Sequence, residues 1–105
     1  MQFTHVAREW RCKWDTSQDK ASLSALQNIL SKHTATVKAI PGVKSVQRIV
    51  CGGCQDFKVI VKLEKPDFDK FATSGFGPEA KFLEEMKATK GVSAVETQTY
   101  TLETV

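Results

Sequence analysis

Three groupings of residues in this chain carry side chains able to do chemistry. The sharpest is Cys51-Gly52-Gly53-Cys54, a CxxC pair between two apolar-rich runs. Such a pair is a redox dithiol, half of a metal site, or two small residues flanking a tight turn. A redox pair of the usual kind sits at a helix N-terminus, whose dipole lowers the thiol pKa, whereas this one sits at a strand turn. Structural zinc wants four ligands, and no second CxxC or paired histidines supply them. No metal site is therefore expected, although a reversible cross-strand disulfide is open to this geometry. The second grouping is His5 with Glu9 and Arg11. A histidine titrates near neutral pH and serves as a general base or orients a ligand, or simply bonds at an interface. Glu9 and Arg11 are two apart on a strand and share a face, where they bind a polar group or form a surface ion pair worth little. The third, His33, lies on an apolar helical stripe and reads as packing, because function needs convergent partners.

The elements that position these groups centre on Val43 to Leu63, VKSVQRIVCGGCQDFKVIVKL. Glycine adopts the positive φ of primed turns without a Cβ clash, so Gly52-Gly53 predicts a two-residue hairpin. In that register Cys51 faces Cys54, Val46 faces Val59, Ser45 faces Ile60 and Arg48 lies opposite Phe57. Phe57, Val59, Val61 and Leu63 point one way and Asp56, Lys58, Lys62 and Glu64 the other, with Ile60 the exception. Arg48 is out of place among apolar neighbours, and its aliphatic stem lets it reach solvent at the edge.

Residues 2–14 predict a first strand with apolar side chains on both faces, as if both were covered. One parity holds Val6, Arg8, Trp10, Cys12 and Trp14; the other holds Phe3, His5, Ala7, Glu9 and Arg11. Trp10 and Trp14 read as core or interface. Asp15-Thr16-Ser17 offers capping oxygens and Asp19 suits an early helical turn. Leu23, Leu26, Leu30, His33, Val37 and Ile40 make one helical stripe, closed by Pro41-Gly42. After the hairpin, Phe68 and Phe71 predict a short helical turn, broken at Ser74-Gly75-Phe76-Gly77. Pro78 opens a second helix carrying Phe82, Leu83 and Met86, and Gly91 closes it. Residues 92–102 predict the last strand.

The totals narrow the class. A chain of 105 residues has room for one domain, residues 1–105, with 41% hydrophobic and 26% charged residues. Its net charge of +3 comes from 15 Lys and Arg against 12 Asp and Glu, with no basic block. Nucleic acid is accordingly not expected as a partner. No apolar run approaches the ~18 residues of a membrane span, so no membrane association is expected. Three cysteines are too few for a disulfide scaffold and point to a reducing compartment, the cytoplasm, or an organelle if a transit peptide was removed.

An internal echo sets the topology. Lys38-Ala39-Ile40-Pro41-Gly42-Val43 resembles Lys87-Ala88-Thr89-Lys90-Gly91-Val92, each a helix end, a glycine stop and a strand start. Two such halves give β-α-β-β-α-β, a ferredoxin-like α+β plan: a four-stranded antiparallel sheet with two helices on one face. Thr4-His5-Val6, Ile40-Pro41-Gly42-Val43 and Gly75-Phe76-Gly77 together resemble the dimeric α/β-barrel superfamily, in particular the stress-responsive A/B-barrel and polyketide-cyclase-like proteins. Gly91-Val92-Ser93-Ala94-Val95-Glu96-Thr97 is also similar to the ligand-binding domains of Lrp/AsnC regulators. The resemblance implies a homodimer whose two sheets close face to face around a ligand cavity. His5, Glu9 and Arg11 would then line that cavity, with Gln47 and Lys58 joining them by hairpin parity. Cyclase-like members carry a second histidine where this chain has Thr73, so that acid/base partner is absent.

Three functions follow as expectations. The first is binding of a small, largely apolar ligand in the barrel, with or without weak acid–base chemistry. The second is a thiol redox or metal-responsive module built on Cys51 and Cys54. The third is a ligand-free dimeric interaction domain. No cofactor is implied by any of them.

Overall fold

The computed structural model describes residues 2–105. The elements run β1 (His5–Lys13), α1 (Ser17–Lys38), β2 (Val43–Cys51), β3 (Asp56–Glu64), α2 (Lys65–Thr73), α3 (Glu79–Lys87) and β4 (Ser93–Thr101). The four strands form one antiparallel sheet in the order β2-β3-β1-β4, the ferredoxin-like arrangement. The helices number three where the sequence predicts two. The turn expected at Phe68 and Phe71 extends into a nine-residue helix, because Pro66 in its first turn suits a helix start and both phenylalanines are buried.

The period-two pattern of β3 sets the layers. Phe57, Val59, Val61 and Leu63 are fully buried and join Val6, Trp10 and Cys12 of β1 under Leu26, Leu30, Val37, Phe68, Phe71, Phe82 and Met86. All three helices thus cover the same sheet face. Trp10 and Trp14 belong to this core, and their indole N–H groups find acceptors in Glu79 Oε1 at 2.8 Å and the Asp56 carbonyl at 3.1 Å. Arg8 is held under α3 by both Glu79 carboxylate oxygens, at 2.7 and 3.2 Å, and lies 3.9 Å from the centre of the Phe76 ring. His33 reaches Glu85 of α3 at 2.9 Å and meets the Phe82 ring edge-on, so it pins two helices together. Arg48 leaves the apolar face by reaching Gln27 of α1.

The hairpin register differs from the expected one by two residues. Val46 pairs with Val61, Gln47 with Ile60, Arg48 with Val59 and Cys51 with Asp56, so the loop spans residues 52–55. Neither Gly52 nor Gly53 takes positive φ; Gln55 does, at 57°. A primed two-residue turn is therefore not formed. A shift of two keeps every side chain on its expected face, which is why the layer assignment survives the register correction.

The helix start also departs from expectation. Thr16 makes no side-chain capping bond, and Gln18, Asp19 and Lys20 sit in the left-handed region at φ 52°, 57° and 62°. Asp15 instead ties the entry down: its carboxylate accepts from Ser22 at 3.0 Å and from Ser17 at 3.1 Å. The echo between the two halves has a physical counterpart here. Gly91, at φ 87°, lies against Asp15, and Gly42, at φ 85°, lies against Asp67; a Cβ on either would come within 2.6 Å of the carboxylate. Each half thus packs an acidic residue from just after one strand onto the glycine before another.

Candidate functional site

Among the described residues no other element covers the sheet face away from the helices. Register places its side chains in rows: Ile49, Lys58, Arg11 and Glu96; then Gln47, Ile60, Glu9 and Gln98; then Ser45, Lys62, Ala7 and Tyr100. The face expected for His5, Glu9, Arg11, Gln47 and Lys58 is the observed one. It is more polar than an apolar cavity lining, since cations and carboxylates alternate across it.

Glu9 stands near the middle, on a strand flanked on both sides, and is only 4% exposed. Its Oε1 accepts a hydrogen bond from the Tyr100 hydroxyl at 3.1 Å. Its Oε2 lies 3.5 Å from Arg11 Nη1, close enough for charge attraction, yet has no hydrogen-bond partner. The short range of the first contact and the poor alignment of the second make Tyr100 the stronger tie. Burial, and then the hydrogen bond to Glu9, push the Tyr100 phenol up to about 12. Sequence reasoning missed Tyr100. The available signal was the alternation of Glu96, Gln98 and Tyr100, which puts all three on the face that β1 shares.

The remaining candidates do not converge on this cluster. Lys58 lies 4.0 Å from Asp56, which also pairs with Lys13. The Lys13 hydrogen bond comes first among the causes that lower the Asp56 pKa. Gln47 is one strand beyond Ile60, across the sheet from Glu9. His5 lies four residues back along β1, about 13 Å at strand spacing. Its ring Nδ1 is 2.8 Å from Thr4 Oγ1, and its backbone N–H donates to Glu103 Oε1 at 3.1 Å. His5 therefore marks the end of the face rather than the Glu9 cluster.

The thiols form a separate feature. Cys51 and Cys54 are joined in a disulfide across the hairpin loop, with their Cα atoms 5.6 Å apart. The Lys13 ammonium donates to the Cys54 carbonyl at 2.9 Å. Cys12 is free and buried on the helix side, where burial and then the Asp56 charge push its thiol up to about 12. Among the described residues no three His, Cys, Asp or Glu side chains gather as a metal site.

Two concavities lie elsewhere on the surface. One of about 220 Å³ lies between Ser22 and Ala25 of α1 and Thr89. Another of about 260 Å³ is lined by Ile40, Pro41, Phe71 and Gly77. Both are smaller than the ~300 Å³ at which ligand pockets usually begin. On the open sheet face a second surface is needed to enclose anything.

Several solved structures share this fold. A putative antibiotic biosynthesis monooxygenase from Caulobacter crescentus superposes with a TM-score of 0.63 at 18% identity, covering 98% of this chain and 92% of its own. The monooxygenase ActVA-Orf6 of Streptomyces coelicolor, solved in complex with nanaomycin D, gives 0.70 at 13% identity over 98% and 90%. SnoaB, a cofactor-independent oxygenase from Streptomyces nogalater, gives 0.64 at 13% identity over 97% and 96%. At such identities the likeness is one of fold. No family model and no curated protein matches the sequence.

Proposed function

We propose that residues 1–105 act as one domain that binds a small organic molecule between the open sheet faces of two copies of the chain. The observation that carries this is the Glu9 carboxylate, buried at the centre of a face that no element among the described residues covers. A buried carboxylate costs folding free energy unless it is paired, and such groups concentrate where ligands are held. Arg11, Tyr100, Gln98 and Ile60 surround it and give the site both polar and apolar contacts. Similar folds in an oxygenase and in a monooxygenase holding nanaomycin D support a small organic ligand. Lys58 contributes from β3 beside Arg11, Gln47 from the edge strand β2, and His5 guards one end. The test is a small-molecule screen read by amide chemical shifts. Hits should move Ala7, Glu9, Ile60 and Gln98 together; hits confined to the groove at Ile40 and Phe71 would refute the assignment.

A second reading rests on the Cys51–Cys54 bridge, which makes the hairpin loop sensitive to reductant. Under that reading Cys51→Ser abolishes the response of the protein to reductant while Glu9→Gln leaves it intact. The opposite pattern would remove the thiols from consideration.

A further inference from the structure

The two oxygens of the Glu9 carboxylate are not equally satisfied. Glu9 Oε1 is satisfied by Tyr100, whereas Glu9 Oε2 is buried without a donor among the described residues. A buried acceptor left empty costs about 1–3 kcal/mol, more when it is charged. The strand neighbours do not fill the gap. Ile60, directly across on β3, offers no donor, and Gln98, directly across on β4, makes no hydrogen bond to Glu9 Oε2. Arg11 stands nearest at 3.5 Å, out of alignment, with 27% of its side chain exposed. It attracts Glu9 Oε2 by charge without a hydrogen bond to it, and part of its side chain already reaches solvent.

Resting on the binding mode above, we infer that Glu9 Oε2 is the anchor for a hydrogen-bond donor on the ligand. The donor is an uncharged hydroxyl or N–H group. Arg11, Lys58 and Lys62 outnumber Glu9 and Glu96 on this face and disfavour an ammonium, while a carboxylate offers Glu9 Oε2 no donor. Arg11 moves aside on binding, and its guanidinium then flanks the ligand. Glu9 thereby selects among molecules of similar shape, because a ligand lacking the donor leaves the buried oxygen as empty as before.

Two matched probe pairs test this on the full chain by amide-shift titration. The pairs are 2-naphthol with 2-methoxynaphthalene, and indole with 1-methylindole; in each, one methyl removes the donor. The wild type should bind the donor member at least about tenfold more tightly, the usual value of a bond to a charged acceptor. Glu9→Gln, which keeps shape but removes charge, should cut that preference. Glu9→Leu should erase it, so that the two members of each pair bind alike. Equal binding of both members, with shifts on the open face, would overturn the anchor and leave the binding face standing. A preference that survives in Glu9→Leu would overturn it too. If no probe moves any open-face amide, both the anchor and the binding face are refuted.

Discussion

Tyr100 is the only tyrosine in the chain, so its titration can be read without deconvolution from other phenols. Its hydroxyl lies 3.1 Å from Glu9 Oε1, and burial followed by that bond lifts its pKa from 10.0 to about 12. The informative perturbation is Glu9→Gln, which preserves size and an acceptor oxygen but removes the negative charge. A hydrogen bond to a charged acceptor is worth about 1.5–3 kcal/mol, and ~1.4 kcal/mol corresponds to one pH unit. Tyr100 is partly exposed, so solvent screening takes roughly half of that. The expected drop is about half to one pH unit, with burial keeping the remainder above the free-phenol value. The assay is the near-ultraviolet absorbance of phenolate against pH, with the urea-unfolded protein as reference. The sign for stability follows from linkage. The folded pKa is raised, so the contribution is fully present below pH 10 and is lost as pH rises from 10 to about 12. Ionisation of the native wild type at the unfolded value, or an unchanged pKa in Glu9→Gln, would refute the coupling between these two residues.

Other consequences follow from the packing and charge layout. Gly91→Ala should destabilise by about 2 kcal/mol or more in denaturant unfolding, since φ is 87° and the new Cβ would meet Asp15 Oδ1 at 2.6 Å. Under non-reducing conditions the native protein should show no thiol reactive to Ellman's reagent, and the unfolded protein should show Cys12 alone; reactivity at Cys51 or Cys54 before reduction would exclude the bridge. Hydrogen bonds from Lys32, then His33, depress the Glu85 pKa below 4.5. Its contribution is therefore present above pH 4.5 and lost as pH falls, so Glu85→Gln should flatten the acid limb of stability against pH. An acid limb that keeps its slope in the variant would remove Glu85 as a source of it.

The sheet layering was legible because β3 alternates almost without exception and β1 carries its polar candidates on one parity. That was enough to place Glu9 and Arg11 side by side on the uncovered face. The hairpin register was not legible, because Gly-Gly favours a two-residue turn by local chemistry while Cys54 and Gln55 belong to the loop here. The left-handed entry to α1 was hidden for a similar reason: Thr16 and Ser17 look like caps, but Asp15 bonds to Ser22 and draws the chain elsewhere. Tyr100 escaped because strand pairing across some ninety residues cannot be seen from local pattern. His5 lies on the expected face but about 13 Å along β1 from Glu9. A shared strand parity sets the face of a side chain but says nothing of distance along it.

The proposed function requires two open sheet faces to close on each other with Glu9 between them. The most direct measurement is molar mass in solution by light scattering on a sizing column, with and without reductant. A stable species of twice the chain mass in both conditions is the predicted result, because the contact is through side chains of the sheet and not through cysteine. A monomer in both conditions would contradict the shared site.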